Sequence, residues 1–166
     1  VVEDNAQAQG ASLYSIQTGA WGHASATSFY PTKNLGAMGD GGAVTTSRAE
    51  VSDFVKHARN YGALQKDWHE TEGINSRLDE WQAAVLSIKL RELDRLNAER
   101  RALAEVYFEQ LAEVGDLVLP PMATPTSQPV FHLFVIQSDE RDALRAHLQK
   151  QGIGTAIHYP TPIHVQ

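Results

Sequence analysis

Apolar residues recur at helical spacing in three parts of the chain. The first part lies between Ser47, a residue that favours a helix N-cap, and Gly62, a residue that favours a helix end. The second part covers residues 79–114, which contain neither proline nor glycine and exceed the usual length of a globular helix. This pattern predicts one long bent helix or two helices in series. The third part predicts a helix between Ser138 and Gly152.

Short β-compatible runs separate the predicted helices. We expect strands at residues 1–4, 24–30, 43–46, 130–136 and 155–159. The alternation of strands and helices indicates α/β or α+β packing. Residues 34–42 contain four glycines in nine positions, which indicates a backbone that adopts positive φ or approaches another group closely.

Composition limits the class of protein. Of the 166 residues, 42% are hydrophobic and 20% are charged, as in soluble globular proteins. No apolar run is long enough to span a membrane, and the net charge of -6 argues against a nucleic-acid partner. Cysteine is absent, and the histidines lack metal-ligand spacing, so we expect no metal and a cytoplasmic protein. Because the chain starts and ends in apolar segments without a polar tail, we expect an internal piece of a longer polypeptide.

Three segments carry candidate chemistry. Asp4 and Gln7 follow a predicted strand, and ligands of α/β sheets bind beyond the carboxyl ends of strands. Lys33 stands between a strand and the glycine-rich turn, where a desolvated lysine can act as a nucleophilic amine. Asn75 and Arg77 precede a helix start, which attracts anions. Taken singly, each segment also fits a structural role: a capping acid, a surface lysine and a helix cap.

Together the segments resemble a known family. The stretches that carry the resemblance are EDNAQA, SFYPTKNLGAMGDGGA, RNYG, NSRLDEWQAA and IHYPTPIH. They are similar to the DegT/DnrJ/EryC1/StrS family of pyridoxal-phosphate sugar aminotransferases, and they occur in the family's order over essentially the whole chain. The resemblance implies an α/β protein with the fold type I, aspartate-aminotransferase-like architecture of pyridoxal-phosphate enzymes.

The resemblance implies a role for each of five residues. Lys33 is implied to be the Schiff-base lysine, and Asp4 to pair with the pyridinium nitrogen of pyridoxal phosphate. Gln7 is expected near the phenolic oxygen of the ring, and Ser28 is expected to donate to the phosphate. Asn75 is implied to reach the phosphate of the neighbouring subunit's cofactor. That last role implies a homodimer with shared active sites.

The implied reaction is transamination. An amino acid, usually L-glutamate, gives its nitrogen to the cofactor, which then aminates a keto sugar attached to a nucleotide. Lys33 favours this reaction over the dehydration that relatives with histidine at this position carry out. His158 is expected on the substrate side, although a histidine bonded to backbone is an equal alternative. A sugar dehydratase or lyase of the same family and a truncated, non-catalytic binding module are the alternative functions.

The resemblance also predicts the domain organisation. Family members are more than twice as long as this chain, so we expect parts of two domains. Residues 1–95 are predicted to form the second half of the large cofactor-binding domain. Residues 96–166 are predicted to start the small C-terminal domain. Without the missing parts, we expect these residues alone to be inactive and poorly soluble.

Overall fold

The structure is a computed structural model that describes residues 1–166. It divides into two compact units: Val1–Gln110 with Pro121–Phe134, and Leu111–Pro120 with Val135–Gln166. The strands are β1 (Val2–Asp4), β2 (Ser12–Leu13), β3 (Ile16–Gln17), β4 (Ala24–Ser28), β5 (Gly42–Thr45), β6 (Ala63–Gln65), β7 (Trp68–His69) and β8 (Ser127–Gln128). The helices are α1 (Ala49–Ala58), α2 (Glu80–Leu90), α3 (Leu93–Leu111) and α4 (Arg141–Lys150), followed by a 3₁₀ turn at Ile163–Val165.

The first unit is organised around a three-stranded sheet with the order β1-β4-β5. Strands β1 and β4 are parallel, with Glu3 opposite Ser25, and β5 is antiparallel to β4. Two smaller sheets have the strand orders β3-β2-β8 and β6-β7. The predicted strands at 1–4, 24–30 and 43–46 are therefore confirmed, with bounds that differ by one or two residues.

The core of the first unit includes the segment that follows Lys33. Leu35 and Ala37 form a buried cluster with Leu86 of α2 and Leu93 of α3. This packing places the glycine-rich turn against the start of the long helical region. Burial of these apolar side chains stabilises the unit, but the hydrophobic effect has no preferred direction. Polar contacts therefore set the detailed position of the turn.

The long helical region is two helices in series, as one of the two predicted alternatives requires. The break falls at Arg91 and Glu92, whose N–H groups donate to Ile88 and Lys89 (3.3 and 3.0 Å). These i to i−3 bonds tighten the last turn of α2, as is common at helix ends. The chain then continues as α3 without proline or glycine.

The prediction of a strand at 130–136 is wrong. No neighbouring strand provides a hydrogen-bonding ladder along this segment, which instead packs against α3. Phe131 and Phe134 contact the ring of Phe108 at centroid distances of 5.8 and 5.1 Å. The strand predicted at 155–159 is also absent, and those residues are irregular.

The second unit contains α4 and an isolated pair of bonds between Val118 and Gln137. Asp116 accepts a hydrogen bond from the Asp139 N–H and another from the Ser138 hydroxyl (2.9 Å), and these bonds lower the pKa of its carboxyl. Ser138 also accepts from the Glu140 N–H (3.1 Å), so it stabilises the approach to α4.

The compact units differ from the division predicted at residue 95. Helix α3 belongs to the first unit up to Gln110, and Pro121–Phe134 returns to that unit. The predicted boundary concerns the two domains of a longer polypeptide, and it stays a prediction. None of the helices is both long enough and apolar enough to cross a membrane.

Candidate active site

Two of the predicted cofactor residues lie at the carboxyl ends of adjacent parallel strands. Asp4 ends β1 and is paired in register with Ala26, and Ser28 stands two residues further along β4. Because side chains alternate between the faces of a sheet, Asp4 and Ser28 lie on the same face. The Asp4 Oδ1 atom accepts from the Ala6 N–H (3.0 Å), and the Ser28 Oγ atom accepts from the Tyr30 N–H (3.2 Å). Both side chains are thus oriented by the turn that follows their strand.

Lys33 lies in the first turn after β4. Its N–H donates to the Tyr30 carbonyl (2.9 Å), which closes the turn over Pro31. The side chain is half-buried, and its Nζ atom makes no hydrogen bond or ion pair within the chain. An amine with these surroundings has no internal partner to displace before it reacts.

The backbone behind Lys33 is folded back tightly on itself. A Cβ atom added to Gly36 would lie 2.4 Å from the Pro31 carbonyl oxygen, so only glycine fits there. Lys89 of α2 donates to the Gly36 carbonyl (2.7 Å), and the Ala37 N–H donates to Phe29 (2.8 Å). The glycine-rich run is therefore needed for close approach at Gly36.

Gln7 and Asn75 are both exposed in the first unit. Gln7 lies in the turn after β1, and its side chain makes no hydrogen bond. Asn75 lies opposite Asn60 in an isolated antiparallel bridge, whose backbone bonds are made by the neighbouring residues. The Oδ1 atom of Asn75 accepts from the Nε of Arg77 (3.0 Å). That bond leaves the Nδ2 group of Asn75 available to donate to an acceptor. His158 is in the second unit, exposed, with its ring 5.4 Å from that of Tyr159.

A set of hydrogen bonds to the carboxylate of Glu3, next to Asp4, was not predicted from the sequence. Glu3 accepts hydrogen bonds from the N–H groups of Gly19 (2.7 Å), Trp21 (2.6 Å) and Gly22. The bonds from Gly19 and Gly22, with a smaller one from Trp21, lower the pKa of the Glu3 carboxyl. These hydrogen bonds hold the loop before β4 against β1.

Four buried or half-buried polar side chains behind the Lys33 turn were also missed. They are Gln9, Asn34, Asn97 and His132. A sequence signal existed for one of them: Asn97 falls on the stripe of α3 that also buries Leu93, Ala104 and Phe108. A polar residue on a buried helical stripe indicates a satisfied hydrogen-bond network.

The sequence model of the DegT/DnrJ/EryC1/StrS aminotransferase family matches residues 1–166. The chain belongs to this family. The resemblance stated from the sequence stretches is thereby confirmed, and membership implies pyridoxal phosphate as the cofactor.

Several relatives of this chain are named as sugar transaminases. It is 50% identical over 165 residues to the dTDP-3-amino-3,4,6-trideoxy-alpha-D-glucose transaminase of Streptomyces venezuelae, covering 99% of this chain and 43% of that enzyme. It is 34% identical over 166 residues to the UDP-2-acetamido-2-deoxy-3-oxo-D-glucuronate aminotransferase of Pseudomonas aeruginosa, covering 100% of this chain and 46% of that enzyme. The chain therefore spans less than half the length of these relatives.

A solved structure establishes the fold. The crystal structure of S. venezuelae DesV in complex with a ketimine intermediate superposes with a TM-score of 0.94, at 51% identity, over 99% of this chain and 44% of that one. The predicted α/β architecture of the pyridoxal-phosphate aminotransferases is thus confirmed.

Proposed function

We propose that these residues belong to a longer pyridoxal-phosphate-dependent nucleotide-sugar aminotransferase. The observation that carries the proposal is the arrangement around Lys33. This half-buried lysine lies on the turn after β4, its amine has no partner within the chain, and the chain is 50% identical to a sugar transaminase. The proposed reaction moves an amino group from L-glutamate to the keto group of a sugar linked to a nucleotide.

The side chains fit the proposed cofactor. When bound, pyridoxal phosphate supplies an aldehyde that condenses with an amine and a ring that withdraws electrons. Lys33 provides the amine, and its Nζ atom is the group that moves protons during transamination. Asp4 provides a carboxylate for the ring nitrogen, and Ser28 provides a hydroxyl whose proton is not donated within the chain. Gln7, on the turn after Asp4, is assigned to the phenolic oxygen.

The names of the relatives support a substrate class. The S. venezuelae relative is named for a 3-amino sugar on dTDP, and the P. aeruginosa relative for a 3-oxo sugar on UDP. We therefore assign amination at C3 of a nucleotide-linked keto sugar. We assign His158 to the part of the site that faces the sugar substrate. We also assign the protein to the cytoplasm, which supplies its nucleotide sugars.

Asn75 supports a homodimer. The oxygen of its exposed amide accepts a hydrogen bond from Arg77, and the Nδ2 group stays available. This group can therefore donate to an anionic group of a second subunit. We assign the acceptor as the phosphate of the partner subunit's cofactor. Size-exclusion chromatography with light scattering of the full-length protein tests this assignment, and a monomeric enzyme with full activity would contradict it.

The experiment that tests the function uses the full-length protein. Pyridoxal phosphate is added, the mixture is reduced with borohydride, and the modified peptide is mapped by mass spectrometry. We expect the adduct on Lys33, and we expect it to be lost when L-glutamate is added before reduction. The Lys33→Ala variant should not be labelled, whereas Lys66→Ala, which changes an exposed lysine on another loop, should be labelled normally.

Two outcomes separate the alternatives. Labelling of Lys33 that is insensitive to L-glutamate would overturn transamination and favour the dehydratase reading. Folded protein without an adduct on Lys33 would leave only a binding module with the aminotransferase fold. Assays with dTDP- and UDP-linked 3-keto sugars then identify the nucleotide.

A further inference from the structure

The residue after Lys33 joins three distant parts of the chain through its side chain. The Nδ2 group of Asn34 donates to Oδ1 of Asn97 on α3 (2.8 Å) and to the carbonyl of Val130 (3.1 Å). Its Oδ1 atom lies 3.1 Å from Nδ1 of His132. Asn34 itself is buried. The backbone of Lys33 is therefore fixed on one side by a buried carboxamide.

The network extends from Asn97, which is only 1% exposed. Its Nδ2 group donates to the carbonyl of Gln9 (2.9 Å). Backbone carbonyls at both ends, of Val130 and Gln9, can only accept, and this determines which way each asparagine amide is turned. The Oδ1 atom of Asn34 then faces His132, so the Nδ1 atom of His132 is the donor in this contact.

The side chain of Gln9 connects the network to β4. The Nε2 group of its buried side chain donates to the Ser28 carbonyl (2.7 Å) and to the Thr27 hydroxyl (2.8 Å). The same amide approaches the carbonyl of Ala6, in the turn after Asp4, at 3.4 Å. One set of buried amides thus links the segments that carry Asp4, Ser28 and Lys33.

We propose that Gln9, Asn34 and Asn97 are positioning residues for the Lys33 amine. Their bonds fix the Lys33 turn relative to the end of β4 and to the turn after β1, on which the other proposed cofactor contacts stand. The proposal rests on the proposed function, because it concerns how the amine meets the cofactor. A catalytic group displaced by about 1 Å can lose about a hundredfold in rate, so fixed backbone at this point has a direct consequence.

The test compares three variants of the full-length protein. Asn34→Ala removes the central carboxamide. Gln9→Met is a milder change, which keeps the size of the side chain and the backbone carbonyl but removes the donors to β4. The matched control is Gln128→Met, which removes a glutamine donor to the Thr124 carbonyl in the same unit but outside the network.

The readouts separate positioning from folding. Far-ultraviolet circular dichroism of the cofactor-free proteins reports folding, and visible circular dichroism reports the orientation of the bound cofactor. We expect Asn34→Ala and Gln9→Met to change the visible signal. In both variants, we also expect kcat for transamination from L-glutamate to fall about 10- to 100-fold. KM for L-glutamate should change by less than about twofold. Gln128→Met should match the unsubstituted protein in both readouts.

Each remaining outcome either overturns the proposal or leaves Gln9→Met to decide it. Folded variants with an unchanged visible signal and unchanged kcat would overturn it. If Asn34→Ala does not fold, Gln9→Met alone decides, because it leaves the Asn34 and Asn97 contacts in place. If the unsubstituted protein is not labelled at Lys33, the proposed function itself fails, and this inference fails with it. If the unsubstituted protein is labelled at Lys33 and the variants keep its visible signal and its kcat, only this inference is overturned and the proposed function stands.

Discussion

At the scale of single residues, Glu3 illustrates how a charge holds a loop. The N–H groups of Gly19, Gly22 and Trp21 lower the pKa of its carboxyl below the ordinary value of 4.5. The stabilisation is therefore present above that pH and is lost as the pH falls through the lowered pKa. We expect Glu3→Gln to lower the melting temperature near neutral pH, and the difference from the unsubstituted protein to shrink in acid. Thermal unfolding followed by circular dichroism over a pH series measures both effects.

The control for this prediction is Glu109→Gln, which removes an exposed carboxylate that makes no ion pair. It should leave the melting temperature and its pH dependence nearly unchanged. A loss for Glu3→Gln that is equally large at every pH would show that the carboxylate charge is not the stabilising group.

Gly36 makes a second prediction about a single residue. A methyl group there would lie 2.4 Å from the Pro31 carbonyl oxygen, which is backbone and can move only if the Lys33 turn opens. We expect Gly36→Ala to destabilise the protein by about 2 kcal/mol through backbone displacement, and to reduce cofactor labelling of Lys33. Gly154→Ala, where an added Cβ meets nothing within 4 Å, is the matched control. Normal labelling of a stable Gly36→Ala protein would contradict the tight turn.

At the scale of elements, α3 is held by neighbouring aromatic residues of unequal burial. Phe108 is buried and contacts the rings of Phe131 and Phe134, whereas Tyr107 is half-exposed and stacks on Phe134 alone. We expect Phe108→Ala to cost about 3–5 kcal/mol, as for other buried aromatic truncations. Tyr107→Ala should cost clearly less. Urea denaturation of the two variants measures the difference, and equal losses would contradict the packing described for α3.

The helices could be predicted because their signal is local. The apolar stripe of α1 and the uninterrupted run that forms α2 and α3 are visible in consecutive residues. The end of α1 is less exact, because the helix ends at Ala58, before the predicted stop at Gly62. The apolar run 130–136 has the composition of a strand, but a strand also requires a partner. Here Phe131 and Phe134 pack on α3 instead, which no local pattern contains.

The candidate site could be located from the sequence to a similar extent, and the roles assigned to its residues stay proposals. Lys33, Asp4 and Ser28 stand in short motifs, and motif order carried the family assignment. The amides behind them are different, because Asn34 and Asn97 are 63 positions apart and meet only in the folded chain. A buried polar pair of this kind is fixed by tertiary packing, so the pair itself could be found only from the contacts.

At the scale of the molecule, the first unit has large apolar side chains that nothing in the 166 residues covers. Val1 and Val2 at the start of the edge strand β1 are 79% and 78% exposed, and Trp81 and Ile88 of α2 are 71% and 68% exposed. Contiguous exposed apolar surface and an open strand edge both favour association. We expect the 166 residues expressed alone to aggregate and to bind a hydrophobic dye strongly.

The full-length protein is the control for this last prediction, and we expect it to remain dispersed and to bind little dye at the same concentration. Dynamic light scattering and dye fluorescence on both samples make the comparison. We infer this difference because, in the proposed enzyme, further chain and a second subunit cover β1 and α2. If the 166 residues alone are dispersed, bind no dye and are labelled at Lys33, the cofactor cradle is complete within them. The proposed need for further chain would then be wrong.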